Sequence, residues 1–485
     1  MIGLLFMSGK SENSMVGRFF DPRSIAIIGS FREGYFGGSV IVRSLLKAGY
    51  EGAIFPVNPG YEEVHGVRVY PSLQEIPGKA DVAVIMINAK SVLSMVKQCA
   101  DLGIRAVVVV SDGFAERDAK GARLQAELVS LAKSFHLRII GPNTAGVVNT
   151  ANGFNPCPYE AGYYKLRQGG TALCAMSGMI NPQAVPYPDM RFGISKICDF
   201  GNKCDVDECD LLEYLAEDGQ TDVISMYLES IHSGSRFLKS AREAAARKPV
   251  LVLKSGRSEE GARASESHTG SLAVDDRIFD AACGQAGILR LEQFRDIFEM
   301  PKIFAAQELP SGNRVGILSV TGGVAVVAID ECAKQGLVPA KLGDRRARAL
   351  ENLFVGLGKN PVDVGPMMAA VSNAFDLYPK ILDTVLGDEN VDALFTVLWA
   401  TPAGNVMSRY VETYEGLKGR FKKPVVTWIY GPDAGAVAEL GKRLELCGFP
   451  VFDTPEKCIR ALGLAYRYKR YTAHGARQDS REQRA

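Results

Sequence analysis

Ser24-Ile-Ala-Ile-Ile28, followed by Gly29-Ser-Phe-Arg-Glu-Gly34 and Gly37-Gly-Ser39, decides the fold class of this 485-residue chain. A short continuous apolar run bounded by turn residues reads as a buried strand. The glycine-rich turn then leads into an amphipathic helix through Leu46. The same alternation repeats downstream, with strands at Ala53-Ile-Phe-Pro-Val57, Val82 to Ile87, Ala106 to Val110 and Leu137 to Ile140. Helical patterns at 90–103 and 117–135 separate them. Strand–helix alternation with glycine at strand ends predicts an α/β protein with a parallel, doubly wound sheet. Ligands of such sheets bind at the carboxyl ends of the strands. Those ends are Gly29-Ser30, Asn58-Pro59, Asn88-Ala89, Ser111-Asp-Gly113 and Gly141-Pro-Asn143.

The glycine spacing after the first strand is not Gly-x-Gly-x-x-Gly. The second strand ends in Asn58-Pro59 rather than in the carboxylate that would hold a ribose, so an NAD site is disfavoured. A phosphate-bearing ligand, nucleotide or CoA-like, at a helix N-terminus fits the loop. A purely structural glycine turn fits it too.

Residues 145–170, rich in Gly, Asn, Pro and Tyr, read as a linker. A second α/β unit begins with Thr171-Ala-Leu-Cys-Ala175 and the turn Met176-Ser-Gly-Met179. Ser177 and Gly178 open the next helix pattern, where free N–H groups and the positive end of a helix dipole make an anion site. The strand Ile194 to Phe200 leads through Gly201-Asn-Lys203 to a helix at Val206 to Ala216, with Asp205 as its N-cap. The strand Val223 to Leu228 ends at Glu229, and the strand Pro249 to Leu253 follows a basic helix. A third unit repeats the pattern from Arg314 to Val320 and Thr321-Gly-Gly-Val324, with further strands at 391–398 and 423–428 and a last helix at 454–469. The polar end from Tyr471 to Ala485 reads as disordered.

One stretch carries a nucleophile. Arg263-Ala-Ser-Glu-Ser-His-Thr-Gly-Ser-Leu272 places His268, one of five histidines, in a run of small hydroxyl residues and glycine. A neutral imidazole can carry a group covalently near neutral pH. Hydroxyls and backbone N–H groups around it can bind anionic oxygen. A loop histidine without a chemical role reads equally from the motif alone. Glu229, closing an apolar strand, can accept the second ring N–H of His268 and fix its tautomer; an ordinary solvated strand-end carboxylate is the other reading.

Composition narrows the class. The hydrophobic fraction of 47% and charged fraction of 23% are those of a globular protein. A net charge of +1 gives no electrostatic case for nucleic acid or an anionic membrane. Ten scattered cysteines form no Cys-x-x-Cys pair, which speaks for a reducing cytoplasm and against a metal site. No stretch approaches the ~20 apolar residues of a membrane span.

Taken together, Asp21-Pro-Arg-Ser-Ile-Ala-Ile-Ile-Gly-Ser30, Val57-Asn-Pro59, Gly141-Pro-Asn143, Gly201-Asn-Lys-x-Asp205, Tyr227-Leu-Glu229, Leu253-Lys-Ser-Gly-Arg257, Ser267-His-Thr-Gly-Ser-Leu272 and Asn360-Pro-Val-Asp363 resemble the α-subunit portion of NDP-forming acyl-CoA synthetases, in the succinyl-CoA synthetase superfamily. The resemblance spans roughly 17–470. It implies a Rossmann-like CoA-binding domain at 17–148, a ligase domain with the phosphohistidine loop at 149–308, a second succinyl-CoA synthetase-like domain at 309–470, both flavodoxin-like, and a tail at 471–485. The implied reaction interconverts acyl-CoA, ADP and phosphate with a carboxylic acid, CoA and ATP, through an acyl phosphate and a phosphohistidine on His268 partnered by Glu229. By the same resemblance Gly29, Ser30, Asn58 and Pro59 would bind coenzyme A, Asn143 would lie near the reacting thioester, and Ser177-Gly178 would hold phosphate.

Two departures from the family pattern stand out. Its usual Ser-Gln-Ser-Gly-Ala is here Ala175-Met-Ser-Gly-Met179, and its Gly-Pro-Asn-Cys is Gly141-Pro-Asn-Thr144. Met176 and Met179 make the acyl pocket more apolar or displace a polar contact, which points away from acetate and succinate and leaves room for a larger or aromatic acid. The chain carries no ATP-grasp segment, so ATP or ADP with Mg2+ is expected on a separate β subunit, in a heteromer for which α2β2 is one stoichiometry. A non-catalytic CoA-binding or regulatory module is the alternative, and a dehydrogenase is a weaker third reading.

Overall fold

The computed structural model describes residues 15–159, 166–180, 191–269 and 275–482. The chain divides into two compact units, one ending at Phe298 and the other beginning at Glu299. The first unit carries two main sheets and the second carries one.

The first sheet runs Ala53–Val57, Ser24–Gly29, Val82–Met86, Ala106–Val109, Arg138–Ile140, all parallel. Every residue of Ser24–Gly29 is buried, because helices cover both faces of a parallel sheet. In chain order the first strand lies between the second and the third. The chain therefore reverses its winding there, and that switch point opens a crevice at the carboxyl ends. Gly29 sits at this place: a Cβ on it would lie 2.9 Å from the Met86 carbonyl oxygen of the neighbouring strand.

The second sheet repeats the order with Leu289–Arg290, Val250–Lys254, Val223–Leu228, Gln168–Ala175 and Ile194–Asp199 in parallel. Its edge is Gly146–Asn149, antiparallel to Ile194–Asp199. The segment read from sequence as a linker thus contains a buried strand. Four residues with no helix before them carry little local signal; pairing with a strand 45 residues on makes the element.

Several side chains join these two sheets into one unit. Arg138 Nε lies 3.0 Å from Asp205 Oδ2, and its Nη2 lies 3.1 Å from Asp210 Oδ2. Asp205 also accepts the Ile139 N–H at 2.7 Å. That contact overturns the expectation that Asp205 caps the next helix. The cap of Glu208–Glu217 is Asp207, which accepts from the Cys209 and Asp210 N–H groups, while Asp210 returns a bond to the Asp207 N–H. Phe20 stacks on Tyr214 at 5.2 Å between ring centroids.

The helix after Val250–Lys254 is a second correction. Glu259–Thr269 is α-helical, so the Ser/Thr/Gly stretch read as a loop is helical through His268. Ser258 Oγ accepts the Gly261 N–H at 3.0 Å, as an N-cap does, and Glu259 and Glu260 suit the positive end of the helix dipole.

The second unit has the same strand order: Val338–Pro339, Arg314–Ser319, Ala393–Trp399, Val425–Tyr430, Val451–Phe452, with Val362–Asp363 also beside Arg314–Ser319. Asn360 links three backbone segments, donating to the Val315 and Ala340 carbonyls at 3.0 Å each and accepting the Ile317 N–H at 2.8 Å. The last helix, Pro455–Glu482, buries Ile459, Leu462 and Ala465 and continues past Tyr471, where disorder was expected. Once the packed turns exist, each further residue adds a hydrogen bond without a new nucleation cost. Among the described residues, no helix is long and apolar enough to cross a membrane.

Candidate active site

The carboxyl ends of both sheets in the first unit meet at a cavity of about 870 Å³. One wall comes from the first sheet: Ser30 after Ser24–Gly29, Met86 and Ile87 at the switch point, then Ser111 and Asp112. The facing wall comes from Asn143, Thr144 and Ala145 and from the second sheet's Met176, Ser177, Gly178 and Asp199. Tyr159 and the loop Arg32 to Gly37 close the mouth. Tyr159 packs against Phe36 at 4.9 Å between centroids, and the Gly37 N–H donates to the Pro158 carbonyl at 2.9 Å.

Four of the expected site residues therefore line one cavity: Ser30, Asn143, Ser177 and Gly178. Asn143 is held in a left-handed backbone conformation (φ 59°), which asparagine tolerates better than most residues. Its N–H donates to the Ser111 carbonyl at 2.9 Å, tying the two walls together. Gly201 passes beneath this turn so closely that a Cβ would lie 2.4 Å from both the Pro142 and Asn143 carbonyl oxygens. Asn202 donates to Gln125 Oε1 at 3.0 Å and to Glu116, and its N–H reaches the Pro142 carbonyl at 2.9 Å. The Gly201-Asn-Lys203 motif thus shapes the site without lining it.

Gly29, Asn58 and Pro59 are not among the cavity's lining residues. Asn58 is a brace: its amide donates to the Gly29 carbonyl at 2.7 Å, and its Oδ1 accepts the Gly60 N–H at 2.8 Å. Ser177-Gly178 leads into a short 3₁₀ turn, Gly178–Ile180, and the residues of the expected helix at 181–190 lie outside the described part.

Glu229 is buried at the switch point of the second sheet, next to Met176. Its N–H donates to Met176 Sδ at 3.2 Å, and the Ser230 N–H lies 3.5 Å from the same sulfur. A thioether is a weak acceptor. Met176 therefore lines the cavity and also fastens the Ser177-Gly178 turn to the strand end that bears Glu229. Burial, with a smaller contribution from Glu229, pushes the neighbouring Tyr227 phenol up to about 12. The backbone of His268 lies in Glu259–Thr269; its side chain, with residues 270–274, lies outside the described part.

Sequence reading missed Asp199. It closes its strand at 2% exposure and lines the cavity. Oδ2 accepts the Ala145 N–H at 2.6 Å and Oδ1 the Gly201 N–H at 3.0 Å. Burial raises its carboxyl to about 6, opposed by those two N–H groups and reinforced by the charge of Glu229. A carboxylate ending an apolar run was the available signal, the same one that singled out Glu229. Beneath the site, Lys203 and Glu208 form a fully buried ion pair at 2.9 Å, and Lys203 also donates to the Ser230 carbonyl at 2.6 Å.

Two parallel sheets whose carboxyl ends share one cavity, with buried carboxylates beside it, define an α/β protein with a ligand crevice at its strand ends. Residues 23–150 match the CoA binding domain, and residues 168–304 match the succinyl-CoA ligase like flavodoxin domain. The α subunit of acetate–CoA ligase (ADP-forming) II from Pyrococcus furiosus is 36% identical over 92% of this chain and 96% of its own length. Acetate–CoA ligase (ADP-forming) II from Archaeoglobus fulgidus is 35% identical over 93% of this chain; the chain spans 66% of that longer protein. The acetyl-coenzyme A synthetase 1 of Ca. Korarchaeum cryptofilum, solved with phosphate and ADP, superposes with a TM-score of 0.86 at 31% identity, covering 96% of this chain and 98% of that one. The chain belongs to the ADP-forming acid–CoA ligase family and corresponds to its α subunits. The relatives are named as enzymes, which supports the ligase reading over a non-catalytic module.

Proposed function

We propose that the chain forms the CoA- and acyl-handling part of an ADP-forming acid–CoA ligase working in the cytoplasm, with a partner chain supplying the nucleotide site. In balanced form, phosphate displaces CoA from acyl-CoA to give acyl phosphate; the His268 ring then takes the phosphoryl group and releases the carboxylate; ADP finally accepts it as ATP. The observation that carries this reading is the single cavity onto which Ser30, Asn143, Ser177 and Gly178 all open. Coenzyme A enters along Ser30 and the Arg32–Gly37 loop, with Asn143 beside the thioester. Gly29, Asn58 and Pro59 are assigned to coenzyme A at the outer end of that path, with Asn58 also bracing the Gly29 carbonyl. The turn at Ser177-Gly178 holds the phosphoryl oxygens through backbone N–H groups.

Glu229 serves as partner to His268: a buried carboxylate orients an imidazole and stabilises its charged form. The relatives named as α subunits support a β partner, to which we assign an ATP-grasp fold with Mg2+ beside its nucleotide. Among the described residues, no group of three or more His, Cys, Asp or Glu side chains could hold a metal ion. An α2β2 assembly is the stoichiometry to measure.

The test is phosphoryl labelling. The chain reconstituted with its β partner and γ-labelled ATP takes up label on His268, and His268→Asn abolishes both labelling and turnover while CoA binding persists. Labelling that survives His268→Asn sinks the assignment.

A further inference from the structure

We infer that Asp199 is a specificity-determining residue that selects short carboxylic acids bearing a hydroxyl or amino group at C2 or C3. The inference rests on the proposed reading of the cavity as the acyl site. A methyl group built on Gly178 would lie 3.9 Å from Asp199 Oδ2, so this carboxylate stands beside the turn assigned to the acyl phosphate. It is 2% exposed, and what it opens onto is the cavity.

An anion buried next to an anion-binding turn is electrostatically unfavourable unless something compensates it. The Ala145 and Gly201 N–H groups occupy one acceptor site on each oxygen. The Thr144 hydroxyl donates to the Asp199 backbone carbonyl and also lies within reach of the carboxylate. An ionised carboxylate offers about four acceptor sites, so capacity remains on the cavity side. The other acidic groups nearby, Glu229 behind Met176 and Asp112 across the cavity, add negative charge and supply no donor. A donor on the substrate close to its own carboxyl group adds a partner on that cavity side. A bare alkyl chain excludes water there and offers no donor in its place, and a second carboxylate on the substrate meets like charge.

The test is binding of a thioester series that differs only at C3. Propionyl-CoA, 3-hydroxypropionyl-CoA, 3-aminopropionyl-CoA and succinyl-CoA are titrated calorimetrically into the full chain, with lactyl-CoA for the C2 position and free CoA as control. The hydroxy or amino thioesters are expected to bind roughly tenfold or more tightly than propionyl-CoA, the effect of one hydrogen bond to a charged group. Succinyl-CoA is expected to bind more weakly than propionyl-CoA. An advantage confined to the amino arm identifies a cationic donor, and one confined to the hydroxyl arms a neutral donor; both support the inference. Asp199→Asn and Asp199→Ser are expected to reduce the advantage, and variants that fold yet keep it in full overturn the inference. Equal binding of all acyl arms with CoA binding intact overturns the role of Asp199 alone. Absence of CoA binding overturns the site assignment and the inference with it. The wild-type series decides the matter even where neither variant folds.

Discussion

Replacing Lys203 with Met tests how the floor of the site is held. Lys203 and Glu208 are both fully buried, 2.9 Å apart, and Lys203 also holds the Ser230 carbonyl next to Glu229. Glu208 Oε1 has no hydrogen-bond partner among the described residues, so Lys203 is the main compensation for its charge. Breaking one side of a buried pair leaves an uncompensated charge and costs about 3–5 kcal/mol. Glu208 is the first residue of Glu208–Glu217, and a carboxylate at a helix N-terminus recovers roughly 0.3–1 kcal/mol. Lys203→Met should therefore cost about 3–4 kcal/mol, near the lower end of that range. At the usual slope for domains of this size the melting transition of the first unit falls by roughly 6–16 °C. The double variant Lys203→Met/Glu208→Leu removes both charges and should recover much of the loss, leaving about 1–3 kcal/mol for the Ser230 carbonyl that loses its Lys203 donor. Urea unfolding of wild type, both single variants and the double variant gives the coupling energy directly. A single variant costing under about 1 kcal/mol, or a double variant as unstable as the sum of the singles, refutes the reasoning.

Two further outcomes follow from the same geometry. Met176→Leu removes the acceptor for the Glu229 and Ser230 N–H groups and should cost about 1–3 kcal/mol, whereas Met176→Gln keeps an acceptor and should cost less; equal unfolding midpoints for the two variants would contradict the thioether contact. Asp199 titrates near 6 in the folded chain against about 3.9 when unfolded. A raised carboxyl contributes stability that is fully present below pH ~4 and is lost as pH rises through about 6. Relative to Asp199→Asn, wild type should lose roughly 2–3 kcal/mol between pH 4 and pH 7, read from paired denaturation curves; a pH-independent difference refutes the shift.

Local pattern carried much of the site. Ser30, Asn143, Ser177 and Gly178 each follow an apolar run, and in a parallel sheet that position alone sends them to the ligand edge. Glu229 was legible for the same reason, although what touches it was not. Asn58 and Asp205 show the limit. Both were read by their place beside a strand or helix end, and neither backbone contact was legible there: Asn58 also holds the Gly29 carbonyl, and Asp205 takes the Ile139 N–H in place of capping the helix.

By itself, then, the sequence determined the α/β class, the repeated strand–helix order and the carboxyl-end residues, because those depend on hydrophobic period and turn chemistry within a dozen residues. Only the tertiary structure decided the shared strand order of the three sheets, the edge strand Gly146–Asn149 and the convergence of two sheets on one cavity. It also decided the state of Asp199. That carboxyl is raised because the chain buries it and sets a second buried carboxylate, Glu229, nearby, against the opposing N–H groups of Ala145, 54 residues away, and Gly201, two residues on. Burial is a property of what the rest of the chain places over a residue, and no window of neighbours contains it.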